Sequence, residues 1–375
     1  MLATAHHTSP LYTLEMGTPD RDAVTTPARF RLVPMQPRDP GEPGRVASTL
    51  ELFFDLVFAI AVSIASADLH TSLTGGNVWP GITSYVFVFF SIWWAWMNFT
   101  WFSTSFDTDD WLYRVLTIVQ MSGVLVLASG IGPAFHQHDY TVSILAYVVM
   151  RLALVAQWLR ASRSAGTARR GTITYAVGIS VVQVFWLAAL LLPAQWMTAA
   201  VVALIIAEIS VPVFAERSGS TPWHPQHITE RYGLFTLILL GLSLFASTNA
   251  IIDALGDPKL LGRLIGVAAL TLVTTAALWW IYFWTPHHHT INGLKSSLAY
   301  GYGHFFIFAA ASALSAGIEV EIDVTQGQSA LALPYASFAY TVPIAIFVLG
   351  IWLLAMRQRA DHVVNTTMPL AAALV

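Results

Sequence analysis

Apolar residues occur along this chain in ten long runs that short polar segments separate. A helix that crosses a bilayer needs about 20 mostly apolar residues, because the hydrocarbon core is about 30 Å thick and a helix rises about 1.5 Å per residue. The runs therefore predict an all-α, polytopic bundle of ten membrane-spanning helices. Their approximate ranges are 49–70, 80–103, 112–132, 139–160, 170–192, 195–216, 230–252, 262–284, 294–317 and 334–356.

The two ends of the chain lack this pattern. Residues 1–48 hold seven prolines and little apolar periodicity, which is typical of a disordered tail. The first apolar run is too long for the core of a signal peptide. We expect residues 49–357 to form the membrane domain and residues 358–375 to form a second tail.

The basic residues predict how the chain is oriented. If the amino terminus is cytoplasmic, fifteen of the 18 Lys and Arg residues lie on the cytoplasmic side, two lie outside, and Arg151 lies within a helix. Such an excess marks the cytoplasmic side of membrane proteins. An even number of spans then places both termini in the cytoplasm, in a cell membrane.

Two stretches of the chain, 49–160 and 230–357, resemble each other. The tryptophan pair at 93–94 in the second run returns at 279–280 in the eighth. Six spans separate corresponding helices, so the prediction is a parallel repeat of spans 1–4 and 7–10, with linker helices at about 170–216. These tryptophans are typical of an aromatic belt at the membrane surface; walls for an apolar or cationic ligand are the alternative.

Composition narrows the class of protein. Apolar residues make up 56% of the chain and charged residues 10%, which excludes an ordinary soluble enzyme. A net charge of −3 leaves no basic surface for nucleic acid. The lipid bilayer is the expected partner, and stretches of small residues allow close packing within one chain or between two copies.

Ionisable side chains inside the runs are candidates for function, because each is costly in hydrocarbon. Glu51 and Asp55 open the first run with a spacing that puts both on one helix face. Arg151 in the fourth run cannot lose its charge, and its depth predicts a pairing with Glu208 in the sixth run, with Asp55, or with both. These groups fit either a proton site or a structural salt bridge.

A histidine and two loops add further candidates. His304 lies ten residues into the ninth run and fits a proton relay or a neutral histidine bonded to a neighbour. Asp107, Asp109 and Asp110 follow the second run, where they fit a Mg²⁺ site or a cap for the next helix. The tract at 287–289 consists of adjacent histidines, which cannot all reach one metal ion. We therefore expect no metal and no cofactor.

Several motifs resemble the bacterial low temperature requirement A (LtrA) family. They are residues 51–58 (ELFFDLVF), 106–110 (FDTDD), 207–213, 223–235 (WHPQHITERYGLF) and 300–319. The resemblance covers about residues 45–360 and implies a multi-pass membrane protein without an established reaction. The motifs also give a second set of candidate site residues, which are Asp107, Asp109, Asp110, His227, Glu230, Arg231 and Glu319.

The chain departs from the family pattern at two positions. Leu242 and Trp284 stand where the family usually has an acidic residue. Both losses fall in the second repeat, whereas Glu51, Asp55 and Glu208 remain. Any charge relay of the family would therefore run differently in this chain or be lost.

Three functions fit these observations. The first is a transporter or channel-like protein for protons or a small solute that uses Asp55, Arg151, Glu208 and His304. The second is an intramembrane enzyme that acts on a lipid or isoprenoid, with a buried carboxylic acid as general acid. The third is a non-catalytic sensor or scaffold. Whether the chain is an enzyme at all stays open at this level.

Overall fold

The structure is a computed structural model that describes residues 32–137, 139–254, 258–357 and 360–375. Twelve α-helices, and no strand, occur in these ranges. They are α1 Thr49–Thr74, α2 Val78–Phe106, α3 Trp111–Ser129, α4 Ile131–His136, α5 Thr141–Ala161, α6 Arg169–Ala189, α7 Ala194–Ser218, α8 Pro225–Ala254, α9 Pro258–Phe283, α10 Leu294–Gln326, α11 Tyr335–Ile351 and α12 His362–Leu374.

Ten of these helices are long and apolar enough to cross a membrane, namely all except α4 and α12. The prediction of a polytopic helical bundle is confirmed. Successive spans run in opposite directions, so the bundle has two faces. We call the face where α1 begins the terminal face and the other face the distal face.

The third and ninth spans differ from their predictions in two different ways. The third run is divided, because α3 ends at Ser129 and a separate short helix, α4, follows Gly130. The ninth run continues as one helix to Gln326, nine residues beyond the predicted end. It stops at Gly327, whose φ of 74° is a conformation that glycine adopts at helix ends.

Residues 32–48 pack against the terminal face, although the sequence predicts a disordered tail there. Met35 is 1% exposed. Arg45 donates hydrogen bonds to the carbonyl oxygens of Ser103, at 3.0 Å, and Thr104. The last carbonyl groups of a helix lack N–H donors within the helix. At the end of α2, the Arg45 side chain donates to two of these carbonyls. The prediction for residues 1–31 lies outside the described residues.

The carboxyl-terminal segment also differs from the predicted tail. Residues 362–374 form α12, whose first turn is capped by the Asp361 side chain at the backbone N–H of Val364. Trp352 Nε1 donates to Asn365 Oδ1 across 3.0 Å. These contacts hold α12 against the end of α11, so a second packed element covers the terminal face.

The spans form two groups of four with the same packing pattern. In the first group α1 packs against α2 and α3, and α3 packs against α5; in the second, α8 packs against α9 and α10, and α10 packs against α11. A glycine brings the third and fourth helices together in both groups. A Cβ at Gly123 would lie 2.4 Å from Met150, and one at Gly317 would lie 2.2 Å from the carbonyl oxygen of Ala339.

Contacts between α1 and α10 join the two groups, and α6 and α7 pack against each other beside α5. The candidate residues on α1, α2, α5, α7 and α8 are held by this arrangement.

Candidate functional site

Two separate groups of buried charges occupy the bundle. The first, which we call the terminal-face cluster, consists of Glu51, Asp55, His227 and Arg231. Arg231 Nη1 lies 2.9 Å from Glu51 Oε1, and Arg231 Nη2 donates to Asp55 Oδ1 across 2.6 Å. His227 Nε2 lies 3.2 Å from Glu51 Oε2. Each of the four residues is at most 1% exposed, so the arginine on α8 holds both acids of α1.

Neighbouring helices complete the terminal-face cluster. Trp96 Nε1 donates to Asp55 Oδ1, and Ser103 Oγ donates to Glu51 Oε1, both across 2.6 Å. The backbone N–H of Ser48 donates to Glu51 Oε2 across 2.8 Å, and the Ser48 side chain accepts from the Glu51 N–H in return. Glu51 therefore caps the helix on which it lies while it binds Arg231.

The second group, which we call the central pair, consists of Arg151 on α5 and Glu208 on α7. Arg151 Nη2 donates to Glu208 Oε2 across 2.5 Å. Glu208 also accepts from Trp94 Nε1, at 2.9 Å, and from Gln183 Nε2, at 2.8 Å. The guanidinium carbon of Arg151 lies 5.6 Å from the centre of the Tyr147 ring. Both charged residues lie near the middle of their helices and are at most 1% exposed.

Several polar atoms around the central pair have no hydrogen-bond partner. They are Arg151 Nε and Nη1, Tyr147 Oη, Gln183 Oε1 and Trp186 Nε1. In the terminal-face cluster, Asp55 Oδ2, Arg231 Nε and Arg231 Nη1 are also without such a partner, although Nη1 lies within ion-pair distance of Glu51. Buried polar groups are usually paired, so the concentration around Arg151 is the larger departure.

The prediction that Arg151 pairs with Glu208, with Asp55 or with both is confirmed by its pairing with Glu208. Asp55 binds Arg231 instead. The sequence placed Asp55 and Arg151 at a similar depth, but depth does not say which helices are neighbours. Here α1 packs against α8, whereas α5 packs against α6.

A cavity of about 60 Å³ reaches the central pair from the distal half of the bundle. It lies between α2, α3, α4, α5, α6 and α7. We call it the distal cavity; Glu208, Tyr147 and Trp186 are among its lining residues, together with mostly apolar side chains. A cavity holds a water molecule when its volume exceeds about 10–15 Å³, so this one has room for several.

A second cavity, of about 30 Å³, lies in the terminal half, and we call it the terminal cavity. Asn98, Trp101, Pro212, Glu216 and Tyr302 are among its lining residues. It shares α2, α5, α6 and α7 with the distal cavity. The two cavities therefore lie in opposite halves of the same group of helices, and residues of α2 and α7 line both.

Trp94 and Tyr302 connect Glu208 in the wall of the distal cavity to the wall of the terminal cavity, which Tyr302 lines. Their ring centres are 5.7 Å apart. Trp94 binds Glu208, and Tyr302 Oη donates to the backbone carbonyl of Ile209 across 2.9 Å. We call this pair of rings the aromatic barrier.

His304 lies in a third environment. Its Nε2 is 3.0 Å from Tyr282 Oη, and its Nδ1 is 2.8 Å from the carbonyl oxygen of Tyr300. It is fully buried and contacts the rings of Tyr232 and Phe308. The structure thus brings His304 together with the aromatic residues of the second helix group, and with neither group of charges.

The acidic loop after α2 caps a helix and pairs with arginines. Asp110 accepts from the backbone N–H of Tyr113 across 2.9 Å and pairs with Arg160, and Asp109 pairs with Arg114 across 2.7 Å. Burial alone would raise the pKa of Asp110, but these hydrogen bonds hold it below its usual value. The capping interpretation is confirmed, and two of the three acids are engaged by basic side chains.

Asp107 in the same loop has a different environment. Burial, followed by the nearby charge of Glu51, raises the pKa of Asp107 to about 6. The nearest basic atom is Arg38 Nη1, at 4.0 Å. Within the described ranges, no three His, Asp or Glu side chains come close enough together to hold a metal ion.

The remaining candidates are apart from these groups. Glu230 Oε1 accepts from the backbone N–H of Ala47 across 3.3 Å. Glu319 lies toward the distal face, where its Oε2 is 3.3 Å from His70 Nδ1. His287, beside α9, is buried next to Tyr300, and burial lowers its pKa to about 4.

Sequence reasoning missed the tryptophans and the glutamine that bind the acids. Trp94 and Trp96 are fully buried donors, whereas the aromatic belt predicted them at the membrane surface. Trp280 and Trp284, which are more than 60% exposed, fit that belt. The available signal was the run of tryptophans within a single span, which cannot all face lipid.

The terminal-face cluster and the central pair lie within the part of the chain that matches a known protein family. The family model described as "Bacterial low temperature requirement A protein (LtrA)" matches residues 46–375. The chain belongs to the LtrA family. It is also 26% identical over 249 residues to an uncharacterized protein of Rhizobium meliloti, strain 1021. That alignment covers 63% of this chain and 58% of the relative.

This LtrA family member is a multi-pass membrane protein, as the resemblance implied. Both charge groups, and both cavities that meet at α2 and α7, fall within the region that the family model matches.

Proposed function

We propose that this LtrA protein moves protons across the membrane, alone or together with a small polar solute, past the central pair. The observation that carries the proposal is the approach of two cavities to α2 and α7 from opposite faces, with Glu208 lining the distal one. A transport protein needs access to one site from each side in turn. An acid at the boundary between the two cavities is the group that can take and release a proton.

The barrier between the cavities has a structural means to move. Pro212 lies inside α7 and has no N–H, so the carbonyl of Glu208 loses its helical partner. Tyr302 binds α7 one residue further on, at Ile209. A bend of α7 at Pro212 would shift Glu208 and the Tyr302 contact together, which would open one cavity as the other closes.

The two helix groups support an internal repeat. The same packing pattern and a close glycine contact occur in both. We infer a parallel repeat of α1–α3 and α5 with α8–α11, and from the basic residues a cytoplasmic terminal face in a cell membrane. Transport proteins built from repeats often place their sites near the middle of the membrane, which is the depth of the central pair.

Decay of a pH gradient in proteoliposomes tests the proposal. The lumen starts at pH 7.5 and the medium at pH 6.0, with sodium nitrate on both sides, and equal K⁺ with valinomycin holds the membrane potential at zero. Wild type is expected to acidify the lumen faster than empty liposomes. Glu208→Gln keeps the shape of the side chain but cannot take up and release a proton, so it is expected to remove the excess rate.

Glu319→Gln is the matched control, since it makes the same change in an acid remote from both cavities and should keep the wild-type rate. All variants are first shown to be folded and monodisperse. No excess proton movement by wild type, or equal rates in wild type and Glu208→Gln, would contradict the proposal.

One observation bears on the enzyme alternative. An apolar groove of about 1280 Å³ lies near the distal face between α1, α2, α10 and α11, and it is large enough for an acyl or isoprenoid chain. Its described lining residues include none that is charged. The groove fits an apolar molecule, but it offers no acid for catalysis.

A further inference from the structure

The central pair contains an anion position that Glu208 itself fills. The Glu208 carboxylate accepts three hydrogen bonds, from Arg151 Nη2, Trp94 Nε1 and Gln183 Nε2. All three donors belong to other helices, which are α5, α2 and α6. A carboxylate is thus held in a ring of donors at the end of a cavity.

Arg151 has donors that Glu208 does not use. Its Nε and Nη1 are buried and lack a hydrogen-bond partner, as does Trp186 Nε1 in the cavity wall. A guanidinium cannot lose its charge inside the membrane. It therefore needs an anion whenever Glu208 is neutral, because an uncompensated buried charge is strongly destabilising.

We propose that a small monovalent anion replaces the Glu208 carboxylate as the counter-ion of Arg151 when Glu208 takes up a proton, so that one proton and one anion are carried together. The inference rests on the proposed function and names its co-transported solute. The balance is simple: Glu208 gains a proton and becomes neutral, and the anion restores the neutrality of the site.

The site selects the class of anion. The distal cavity of about 60 Å³ admits a few water molecules or a small ion, and its mostly apolar wall does not compensate a second negative charge. The planar fork of an arginine matches planar oxyanions best. The structure therefore favours nitrate-sized or carboxylate-sized monovalent ions.

The titratable groups that face the pair are few. Tyr147 faces it from α5, while α2 contributes the indole of Trp94 and α6 the amide of Gln183. From α10, Tyr302 contacts Trp94. Among these contacts, Glu208 is the one carboxylate, and Arg151 is the cation that it pairs with.

The pH-gradient assay distinguishes this inference from the proposed function when the anion is exchanged. Nitrate on both sides is replaced by gluconate, which is too large for the cavity. Wild type is expected to acidify the lumen about tenfold faster with nitrate, a typical coupling between two linked ligands. An equal excess rate in gluconate would leave proton transport standing and overturn the anion site. No excess rate in either medium would overturn both.

Thermal unfolding gives a second readout that does not depend on transport. At pH 8 and constant sodium, nitrate is expected to raise the Tm of Glu208→Gln by about 5 °C, because it binds a guanidinium that has lost its counter-ion. The Tm of wild type and of the Glu319→Gln control should shift much less, because Glu208 still occupies the anion position in both proteins. A nitrate shift in Glu208→Gln no larger than in these two would contradict the inference.

A third variant covers the case in which Glu208→Gln does not fold. Trp186→Phe removes an N–H that has no partner, so it breaks no internal hydrogen bond. We expect this change to raise the nitrate concentration at half-maximal rate, because the site then has one donor fewer. An unchanged nitrate dependence in Trp186→Phe would count against the site.

Discussion

The terminal-face cluster and the central pair are both built on a buried arginine, yet they differ in what surrounds it. Arg231 lies between two carboxylates, and packed chain from residues 32–48 covers the face near them. Arg151 has one carboxylate, that of Glu208, and Glu208 lines a cavity; Arg151 Nε and Nη1 have neither a hydrogen bond nor a second carboxylate. Buried ion pairs of the first kind fix how helices pack, and removal of one member is costly. The second kind leaves room for a ligand.

Burial of charge alone therefore does not identify a functional site in this protein. All six charged or titratable residues of the two groups are at most 1% exposed. What separates them is access, because Glu208 lines the distal cavity and no member of the terminal-face cluster lines any of the three cavities described above. We therefore assign structure to the cluster and transport to the pair.

The largest expected effect concerns the two arginines. Arg231→Gln leaves Glu51 and Asp55 buried without a cation, so it should cost about 3–5 kcal/mol or more and remove most folded protein. Arg151→Gln leaves one acid, which can accept a proton, and should cost less. The yield of monodisperse protein and its Tm in detergent measure both. Equal losses of folded protein in the two variants would contradict the distinction between the cluster and the pair.

A smaller effect is expected at the two tryptophans that donate to the acids. Trp96→Phe and Trp94→Phe each remove one buried donor and should lower the free energy of unfolding by about 1–3 kcal/mol. Their effects on transport should differ. Trp96→Phe should keep the proton flux per folded molecule, whereas Trp94→Phe should change it, because Trp94 forms part of the barrier. If the proton flux of both variants changed only in proportion to their stability, the assignment of transport to the central pair would be contradicted.

The smallest effect concerns Asp107, next to the terminal-face cluster. Burial and the charge of Glu51 raise its pKa to about 6 in the folded chain. A raised carboxyl pKa means that the folded state holds the proton more tightly, so stability falls as the pH rises from about 4 through 6. Asp107→Asn removes this loss and should be more stable than wild type above pH 6, by roughly 1–3 kcal/mol.

Chemical denaturation at pH 5 and pH 8 checks this prediction. The advantage of Asp107→Asn should be larger at pH 8. In a Glu51→Gln background the advantage should shrink, since part of the pKa shift comes from that carboxylate. A pH-independent difference would show that Asp107 is not perturbed in this way.

The sequence predicts the membrane helices well, because span length and hydropathy are local properties. The pairing of Arg151 with Glu208 was also predictable, since both lie deep in their runs and an arginine needs an anion. The pairing of Asp55 with Arg231 was not, because depth along two helices does not define which of their sides meet.

The segments at the two ends show a second limit. Residues 32–48 are rich in proline and carry no periodicity, yet Arg45 and Met35 hold them to the terminal face. Such contacts depend on the free carbonyls at the end of α2, a tertiary feature that composition does not reveal. The cavities are also tertiary features that composition does not reveal, because they form where neighbouring helices do not pack closely.

The most direct test of the account compares Glu208→Gln with Asp55→Asn in the pH-gradient assay, at equal amounts of folded protein in nitrate medium. Both changes neutralise a buried acid with an amide of the same shape. We expect Glu208→Gln to abolish the excess proton flux and Asp55→Asn to keep the wild-type flux per folded molecule while its Tm falls. Loss of flux in Asp55→Asn with normal flux in Glu208→Gln would contradict the division into a structural cluster and a transporting pair.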